Sequence, residues 1–461
     1  MPTEVRIQTE PGQEFSLTAT RTSKKMFSAL LISYAGFVFG FLANILVARA
    51  LGVQGKGTFS LFQVTVALLA ALAGFGAGHG QMFHVMRNPD RLRHFMANGY
   101  VSAIGLTVAV AIAYLLAADS AHLAQFGWPL VAAAIALVPA TSILVFQRQY
   151  FLARHEYSLS KLNLALTLTL PVVPYGVLFA LGKATLVNLI VGYTITQVAC
   201  CVGFAVLTHR STLRPRTPSW EFAKESLSFG IWQYLSDIIQ FLVSRVDFFL
   251  VAYFLGSAGL GIYSVAAGIA EVTSRVPREL GTVLFPAFAA GHLQKASAVS
   301  FLRLTVAVAL LTAILLGVIS KPVILLLFGK DFAAAVPAFR WLLPGVVAWS
   351  TLHVTWNHAS ANGRPGLGVP IFGAAAVLDV VLDIFLLPKI GVVGASIAST
   401  ISYGFAAFLF ARIFCRNEGY SMPDALVMRG RDLRNIRMLA AGTWEKAQKG
   451  VATLGDFFFA K

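Results

Sequence analysis

Residues 46–60 read LVARALGVQGKGTFS, and residues 250–264 read LVAYFLGSAGLGIYS. Eight of the fifteen positions are identical, including the three glycines of a G-x-x-G-x-G pattern. Each copy joins two long apolar segments and follows no alternating strand pattern, so each is interpreted as a tight turn between helices and not as a phosphate-binding loop. The same turn in both halves of an apolar chain predicts a transporter built from internal repeats.

The composition predicts an integral membrane protein. Of the 461 residues, 57% are hydrophobic and 12% are charged, whereas a soluble domain carries roughly 25% charged residues. So few charges could not cover a surface that faces water. The first 25 residues are polar and lack the apolar region and cleavage site of a signal peptide. The three cysteines have neither the spacing of metal ligands nor that of a disulfide framework.

Length and hydropathy predict twelve membrane-spanning helices, because a helix needs about 20 apolar residues to cross the hydrocarbon core. The candidate spans are 26–50, 57–85, 96–117, 128–151, 158–181, 185–208, 226–254, 258–289, 298–319, 335–361, 367–388 and 391–414. The predicted fold class is an all-α polytopic membrane protein, with two pseudo-symmetric six-helix halves around a central cavity.

The distribution of basic residues predicts the orientation of the chain. Of the 36 Lys and Arg residues, 28 fall on the side that carries both termini and seven, including Lys56, fall on the other, while Arg245 remains inside a span. Both termini are therefore predicted to be cytoplasmic. The predicted organisation is a cytoplasmic N-terminus (1–25), a first half (26–208), a cytoplasmic linker (209–225), a second half (226–415) and a basic cytoplasmic tail (416–461). The tail is interpreted either as an amphipathic helix on the anionic inner leaflet or as a solvated segment.

Charged side chains inside the predicted spans are candidates for function, because a charge near the bilayer centre costs several kcal/mol. Asp379 and Asp383 are four residues apart and share one helix face, where two carboxylates either share a proton or hold a hard cation such as Na⁺. Hydration at a helix end is the alternative. For Arg245, both a structural ion pair and contact with a substrate remain open. Arg49 lies near the end of a span, where a long side chain reaches the interface.

Five runs carry a resemblance to a known family. They are ARALGVQGKG (48–57), VDFFLVAYFLGSAGLGIYSVA (246–266), GTVLFP (281–286), LLFGKDFAAA (326–335) and GVVGASIAST (391–400). In this order they resemble the pattern of the polysaccharide biosynthesis flippases. These are the Wzx-type O-antigen and exopolysaccharide transporters of the multidrug/oligosaccharidyl-lipid/polysaccharide exporter superfamily.

The resemblance implies a flippase of the bacterial inner membrane and not an enzyme. Its substrate would be an oligosaccharide linked to undecaprenyl pyrophosphate, moved by alternating access between the halves. The implied partners are this lipid-linked oligosaccharide, membrane lipids and other polysaccharide-assembly proteins, with no nucleic acid. Because a diphosphate is anionic, its path requires cations in a wet cavity. The candidate cavity cations are Arg245, Arg275, Arg278 and Arg49.

The resemblance also implies coupling to Na⁺ or H⁺, with no other cofactor. Related flippases of peptidoglycan precursors are thought to hold an ion on acidic and polar residues of their seventh, eleventh and twelfth helices, and an acidic residue on the eighth helix also matches. The matching positions here are Asp247, Asp379, Asp383, Thr400 and Glu271. Two alternative functions remain: a cation-coupled multidrug exporter of the same superfamily, and a flippase of peptidoglycan precursor (lipid II).

Overall fold

The computed structural model of the protein describes residues 11–73, 81, 85, 91–118, 128–154, 156–211, 217–289, 295–361, 364–428 and 430. Within these residues the chain is helical and has no β-strand. The helices are α1 (Pro11–Ala73), α2 (Leu92–Ala118), α3 (Trp128–Ala153), α4 (Tyr157–Thr169), α5 (Val172–Ala180), α6 (Leu186–Ser211), α7 (Trp220–Ala289), α8 (Lys295–Leu327), α9 (Ala335–Ala361), α10 (Gly368–Ile390), α11 (Val392–Glu418) and α12 (Met422–Leu426). Short 3₁₀ turns precede α9 and α10.

The two repeated turns bend the two longest helices. α1 has 63 residues and bends at Gly52, with φ 66°; α7 has 70 residues and bends at Gly256, with φ 68°. A side chain with a Cβ atom is strained at such angles, whereas glycine adopts them freely. Each of these helices therefore consists of two arms joined at the first glycine of the repeat, which confirms the interpretation as turns between helices.

The chain is a multi-pass membrane protein. In the described residues, eight helical segments are long and apolar enough to cross a membrane. Two of them, Leu31–Ala73 and Gly230–Arg275, have 43 and 46 residues, enough for two crossings each. Two more helices, α2 and α9, have 27 residues each and coincide with further predicted spans. The all-α polytopic fold is confirmed, and the number of twelve spans stays a prediction.

The two glycine turns pack directly on each other. A methyl group added to Gly57 would overlap the carbonyl oxygen of Ser257, and one added to Gly261 would overlap the carbonyl oxygen of Val53. The repeat offset of 204 residues relates Val53 to Ser257 and Gly57 to Gly261, so the two contacts are equivalent. The halves therefore meet backbone to backbone around a pseudo-two-fold axis, and we call this contact the glycine crossing.

The predicted linker is partly bound to the first half. Residues 209–211 continue α6, and residues 212–216 lie outside the described residues. Beyond them, the Asn98 side chain donates to the Ser219 carbonyl at 2.9 Å and accepts from the Ser219 N–H at 2.8 Å. Arg91 pairs with Glu225 at 2.5 Å. The start of α7 thus belongs structurally to the first half before the helix enters the second.

The predicted tail begins as ordered structure. Its first residues end α11, and the short helix α12 buries Ala425 against α8. Arg303 of α8 donates from Nε to the Asp424 carbonyl at 2.6 Å. Residues 431–461, which carry most of the tail's basic groups, lie outside the described residues, as do residues 1–10.

Candidate functional site

A cavity of about 380 Å³ lies between α1 and α7, where the two halves meet. It starts beside the glycine crossing, with Lys56 and Ser264 in its wall, and reaches Arg275. Arg275 lies 14 residues beyond Gly261, which is about 20 Å along a helix that rises about 1.5 Å per residue. The crossing therefore closes one end of the cavity, on the side of the glycine turns.

A second cavity of about 200 Å³ adjoins the first inside the second half. Both cavities are lined by Arg245, Phe248, Glu271 and Arg275. The smaller cavity is also lined by Asp247. This carboxylate is therefore next to the larger cavity, which is lined by the cations.

Arg245 and Glu271 form an ion pair between the two arms of α7. The Arg245 guanidinium carbon also lies 5.3 Å from the centroid of the Phe248 ring. Of the two alternatives that its sequence position left open, the structure shows the ion pair. Arg245 also lines the cavity, and its contact with a substrate stays a prediction. Glu271, predicted with the ion-coupling carboxylates, is paired with this cation instead.

Arg275 reaches across to the first half. Its guanidinium carbon lies 4.9 Å from the centroid of the Phe37 ring of α1, a cation–π contact. Its Nε atom is buried and has no hydrogen-bond partner in the described residues. Arg275 thus lines the cavity with a guanidinium whose Nε–H is not satisfied by the described residues. The Arg278 side chain lies outside the described residues, although its backbone continues α7.

The expectation that Arg49 faces the cavity is corrected by its contacts. Its Nε donates to the Leu327 carbonyl at 2.9 Å, and its Nη2 donates to the Leu326 carbonyl. These carbonyls are at the C-terminal end of α8, where they lack partners within the helix and where a positive charge is favourable. Arg49 is exposed and holds a helix end.

Asp247 is buried and fully engaged by hydrogen bonds. One carboxylate oxygen accepts the Phe248 N–H at 2.8 Å, and the other accepts the Tyr263 hydroxyl and the Ser399 hydroxyl, the latter at 3.3 Å. Tyr263 belongs to the second repeat, where it replaces Phe59 of the first. The repeated turn therefore positions a donor for this carboxylate in one half only.

Asp379 and Asp383 are buried and poorly satisfied by hydrogen bonds. Both are 0% exposed, and none of their four carboxylate oxygens has a partner with full hydrogen-bond geometry in the described part of the chain, although the Ser402 hydroxyl interacts with the Asp379 carboxylate. Both interact electrostatically with Asp247. The structure thus brings together the three aspartates that the sequence singled out. Among the described residues, no three Asp, Glu, His or Cys side chains converge closely enough to hold a metal ion.

Thr400 does not lie with these carboxylates, which corrects its prediction as an ion ligand. Its hydroxyl donates to the Trp341 carbonyl at 2.6 Å, and its side chain packs against Gly345 of α9. The preceding residue, Ser399, is the one that reaches Asp247. Neighbouring residues of a helix point in directions about 100° apart, so a shift of one position decides which hydroxyl faces the site.

Sequence reasoning missed Lys56. The count of basic residues assigned it to the loops opposite the termini, but its side chain is 2% exposed and lines the larger cavity. Its ammonium donates to the Ser60 hydroxyl at 3.0 Å. A comparison of the two copies of the repeat could have indicated that Lys56 is buried. The equivalent residue of the second copy is Leu260, an apolar residue that is fully buried.

Comparisons with known proteins agree with this architecture. EpsE of Ralstonia nicotianae, an EPS I polysaccharide export inner membrane protein, is 24% identical over 406 residues, which are 83% of this chain and 84% of EpsE. Agl15 of Haloferax volcanii, a probable low-salt glycan biosynthesis flippase, is 22% identical over 231 residues, 47% of this chain and 49% of Agl15. The chain thus spans about half the length of Agl15 in this match.

A solved structure of the lipid II flippase MurJ, in an inward closed conformation, superposes with a TM-score of 0.66 at 10% identity and covers 86% of this chain and 89% of MurJ. At that identity the likeness shows the fold. The sequence model of the polysaccharide biosynthesis proteins matches residues 22–292, more than half of the chain. The chain therefore belongs to the polysaccharide biosynthesis protein family.

Proposed function

We propose that the protein is a flippase that moves an oligosaccharide linked to undecaprenyl pyrophosphate across the bacterial inner membrane. The observation that carries this proposal is the cavity between the halves, with Arg245 and Arg275 in its wall and the glycine crossing at one end. A diphosphate head group requires donors with positive charge in a membrane interior. The family assignment and the names of EpsE and Agl15 support a saccharide substrate.

The proposed transport mechanism is alternating access. The glycine crossing joins the two halves on the side that the distribution of basic residues predicts to face away from the cytoplasm. The cavity extends from the crossing towards the predicted cytoplasmic side. Separation of the halves at the crossing would open the same cavity to the opposite side. The cytoplasmic location of both termini belongs to this proposal.

A multidrug exporter of organic cations fits the cavity less well. The cations that line the larger cavity are Lys56, Arg245 and Arg275, whereas Glu271 is the one carboxylate among its described lining residues and is already paired with Arg245. An organic cation would meet repulsion there. Lipid II carries a diphosphate as well, so a lipid II flippase fits the same cations, and the polysaccharide relatives favour the first substrate.

The proposed anion path is tested by Arg275→Ala. We expect a loss of flipping of at least tenfold, because a hydrogen bond to a charged group contributes about 1.5–3 kcal/mol and about 1.4 kcal/mol is a factor of ten. The measurement is transfer of a fluorescent lipid-linked oligosaccharide between the leaflets of reconstituted vesicles. Arg412→Ala is the matched control, because this exposed arginine lies near the end of α11 and outside the cavity. The flippase proposal fails if Arg245→Ala and Arg275→Ala leave polysaccharide export intact while Asp247→Ala abolishes dye efflux.

We further propose that transport is coupled to Na⁺ or H⁺ at Asp379 and Asp383. Two buried carboxylates that hydrogen bonds satisfy poorly cannot both stay ionised unless a cation or a shared proton compensates them. Their four oxygens, none of which has a partner with full hydrogen-bond geometry among the described residues, fit either one. A shared proton needs no further ligand, whereas Na⁺ would need additional oxygen atoms around it.

Asp383→Ala is expected to reduce transport driven by a cation gradient. In vesicles, flipping should no longer respond to an imposed Na⁺ gradient if Na⁺ is the coupling ion, or to an imposed proton gradient if H⁺ is. Thr400→Ala is the control, because its hydroxyl bonds the Trp341 carbonyl and not the carboxylates. If the response of Asp383→Ala to both gradients equals that of the wild type, the proposed coupling site is excluded.

A further inference from the structure

Lys56 is a buried cation that none of the expectations from sequence assigned to the site. In the described residues its ammonium has one hydrogen bond, to the Ser60 hydroxyl at 3.0 Å, and it forms no ion pair with a described carboxylate. An ammonium has three donors, so two of them have no partner among these residues. A buried charge is unfavourable unless it is paired.

The larger cavity offers the space in which a partner for Lys56 would lie. Lys56 and Ser60 are on one face of α1 and line this cavity, as do Arg245 and Arg275 from the other half. Lys56 is adjacent in sequence to Gly57 of the glycine crossing. The ammonium therefore sits in the closed end of the cavity, while Arg275 lies towards the opposite end.

The charges of the cavity wall match a diphosphate. The described residues of the wall include three basic side chains, Lys56, Arg245 and Arg275, and one carboxylate, Glu271, which is already paired with Arg245. A diphosphate that joins a lipid to a sugar carries one negative charge on each of its two phosphates. Each such phosphate presents acceptor oxygens that suit ammonium and guanidinium donors.

We propose that Lys56 is a specificity-determining residue that binds a phosphate of the transported diphosphate at the closed end of the cavity. The inference rests on the proposed function, since it names the group that holds one end of the head group. Lys56 receives its missing counter-charge when the ligand is bound and lacks it when the cavity is empty. Because the residue is next to Gly57, the bound anion lies beside the contact that must separate during transport.

The inference is tested by measuring the affinity of the full-length protein in lipid nanodiscs for undecaprenyl diphosphate, with undecaprenol as the uncharged probe. Lys56→Met is expected to weaken binding of the diphosphate lipid at least tenfold and to leave binding of undecaprenol unchanged. Lys56→Arg should retain most of the affinity, because it keeps the charge. Lys183→Met is the matched control and should change the affinity less than threefold, because it makes the same substitution at an exposed lysine outside the cavity.

A second readout does not depend on the ligand. In the absence of any substrate, Lys56→Met is expected to melt at a higher temperature than the wild type, because it replaces a buried amine that lacks hydrogen-bond partners with an apolar side chain of similar length. Addition of undecaprenyl diphosphate should raise the melting temperature of the wild type more than that of Lys56→Met, since a ligand stabilises the state that it binds.

The outcomes separate this inference from the proposed function. If the wild type binds undecaprenyl diphosphate no better than undecaprenol, both fail. If the wild type discriminates between them and Lys56→Met binds the diphosphate lipid as tightly as the wild type, the assignment of Lys56 alone is overturned. It is also overturned if Lys56→Met weakens the binding of undecaprenol as much as that of the diphosphate lipid, because the effect would then not depend on the phosphate.

Discussion

Gly57→Ala is expected to disfavour the conformation in which the two halves touch at the glycine crossing, and to lower transport at least tenfold. The added methyl group would overlap the Ser257 carbonyl oxygen of the other half. Overpacking a close contact costs about 1–3 kcal/mol, and a contact between two backbones cannot relax by a change of rotamer. Since about 1.4 kcal/mol shifts an equilibrium tenfold, the state in which the halves separate at the crossing becomes the favoured one.

The measurement is the distance between spin labels attached to the two halves on the side of the glycine turns. Lys183 and Lys389 are exposed and suit this purpose as Lys183→Cys and Lys389→Cys. The natural cysteines, which are all buried, are replaced beforehand. We expect the population with the longer distance to increase in Gly57→Ala and the same effect in Gly261→Ala, because the crossing is symmetric.

Gly404→Ala is the matched control for this experiment. Gly404 lies inside α11, and a Cβ atom added there meets no atom within 4 Å. Alanine is favoured over glycine in a helix interior by about 0.5–1 kcal/mol, so this variant should transport normally. If Gly57→Ala shows the wild-type distance distribution and the wild-type rate, the crossing is not the contact that opens during transport.

The two repeated turns could be predicted from the sequence, because each of them requires glycine at the same positions. Only glycine tolerates the positive φ of Gly52 and Gly256, and only glycine allows the backbones to touch at the crossing. The pattern therefore locates the turns. It does not show that the two copies pack on each other, because the partner of each glycine is 204 residues away in the sequence.

The residue types of the candidate site could be predicted from the sequence. The directions in which their side chains point were harder to predict. Buried charges on a helix stand out from apolar neighbours, which identified Arg245 and the three aspartates. Which way a side chain points depends on helix rotation near the span ends, and this decides between Thr400 and Ser399. The same uncertainty affects Arg49 and Lys56, which lie seven residues apart on either side of the turn. Arg49 was a candidate for the cavity and binds a helix end instead, whereas Lys56 was assigned to a loop and lines the cavity.

The three buried aspartates are expected to respond differently to the same substitution. Asp247→Asn should destabilise the protein by about 2 kcal/mol or more, because hydrogen bonds to a charged group contribute about 1.5–3 kcal/mol each. Asp247 accepts three of them, and the amide that replaces it offers one acceptor oxygen and an unwanted donor. The Tyr263 or the Ser399 hydroxyl, or the Phe248 N–H, then loses its acceptor.

Asp379→Asn is expected to leave stability unchanged or to raise it. The Ser402 hydroxyl beside it can donate to the amide oxygen as it can to the carboxylate, and the substitution removes an ionisable group from a fully buried position beside two other carboxylates. Transport driven by a cation gradient should nevertheless fall, as for Asp383→Ala. Thermal unfolding in detergent therefore should rank Asp247→Asn below the wild type and Asp379→Asn at or above it.

A double-mutant cycle separates the hydrogen-bond argument from a general effect of burial. Tyr263→Phe removes one donor to Asp247 and keeps the ring in the core. Because the two residues share one hydrogen bond, the combined variant with Asp247→Asn should lose less stability than the sum of the single variants. Tyr263→Phe combined with Asp379→Asn should show a smaller interaction energy, since no hydrogen bond connects that pair and only their shared neighbour Asp247 links them. Additive losses in both cycles, or an Asp379→Asn variant as unstable as Asp247→Asn, would show that burial and not the number of donors distinguishes these carboxylates.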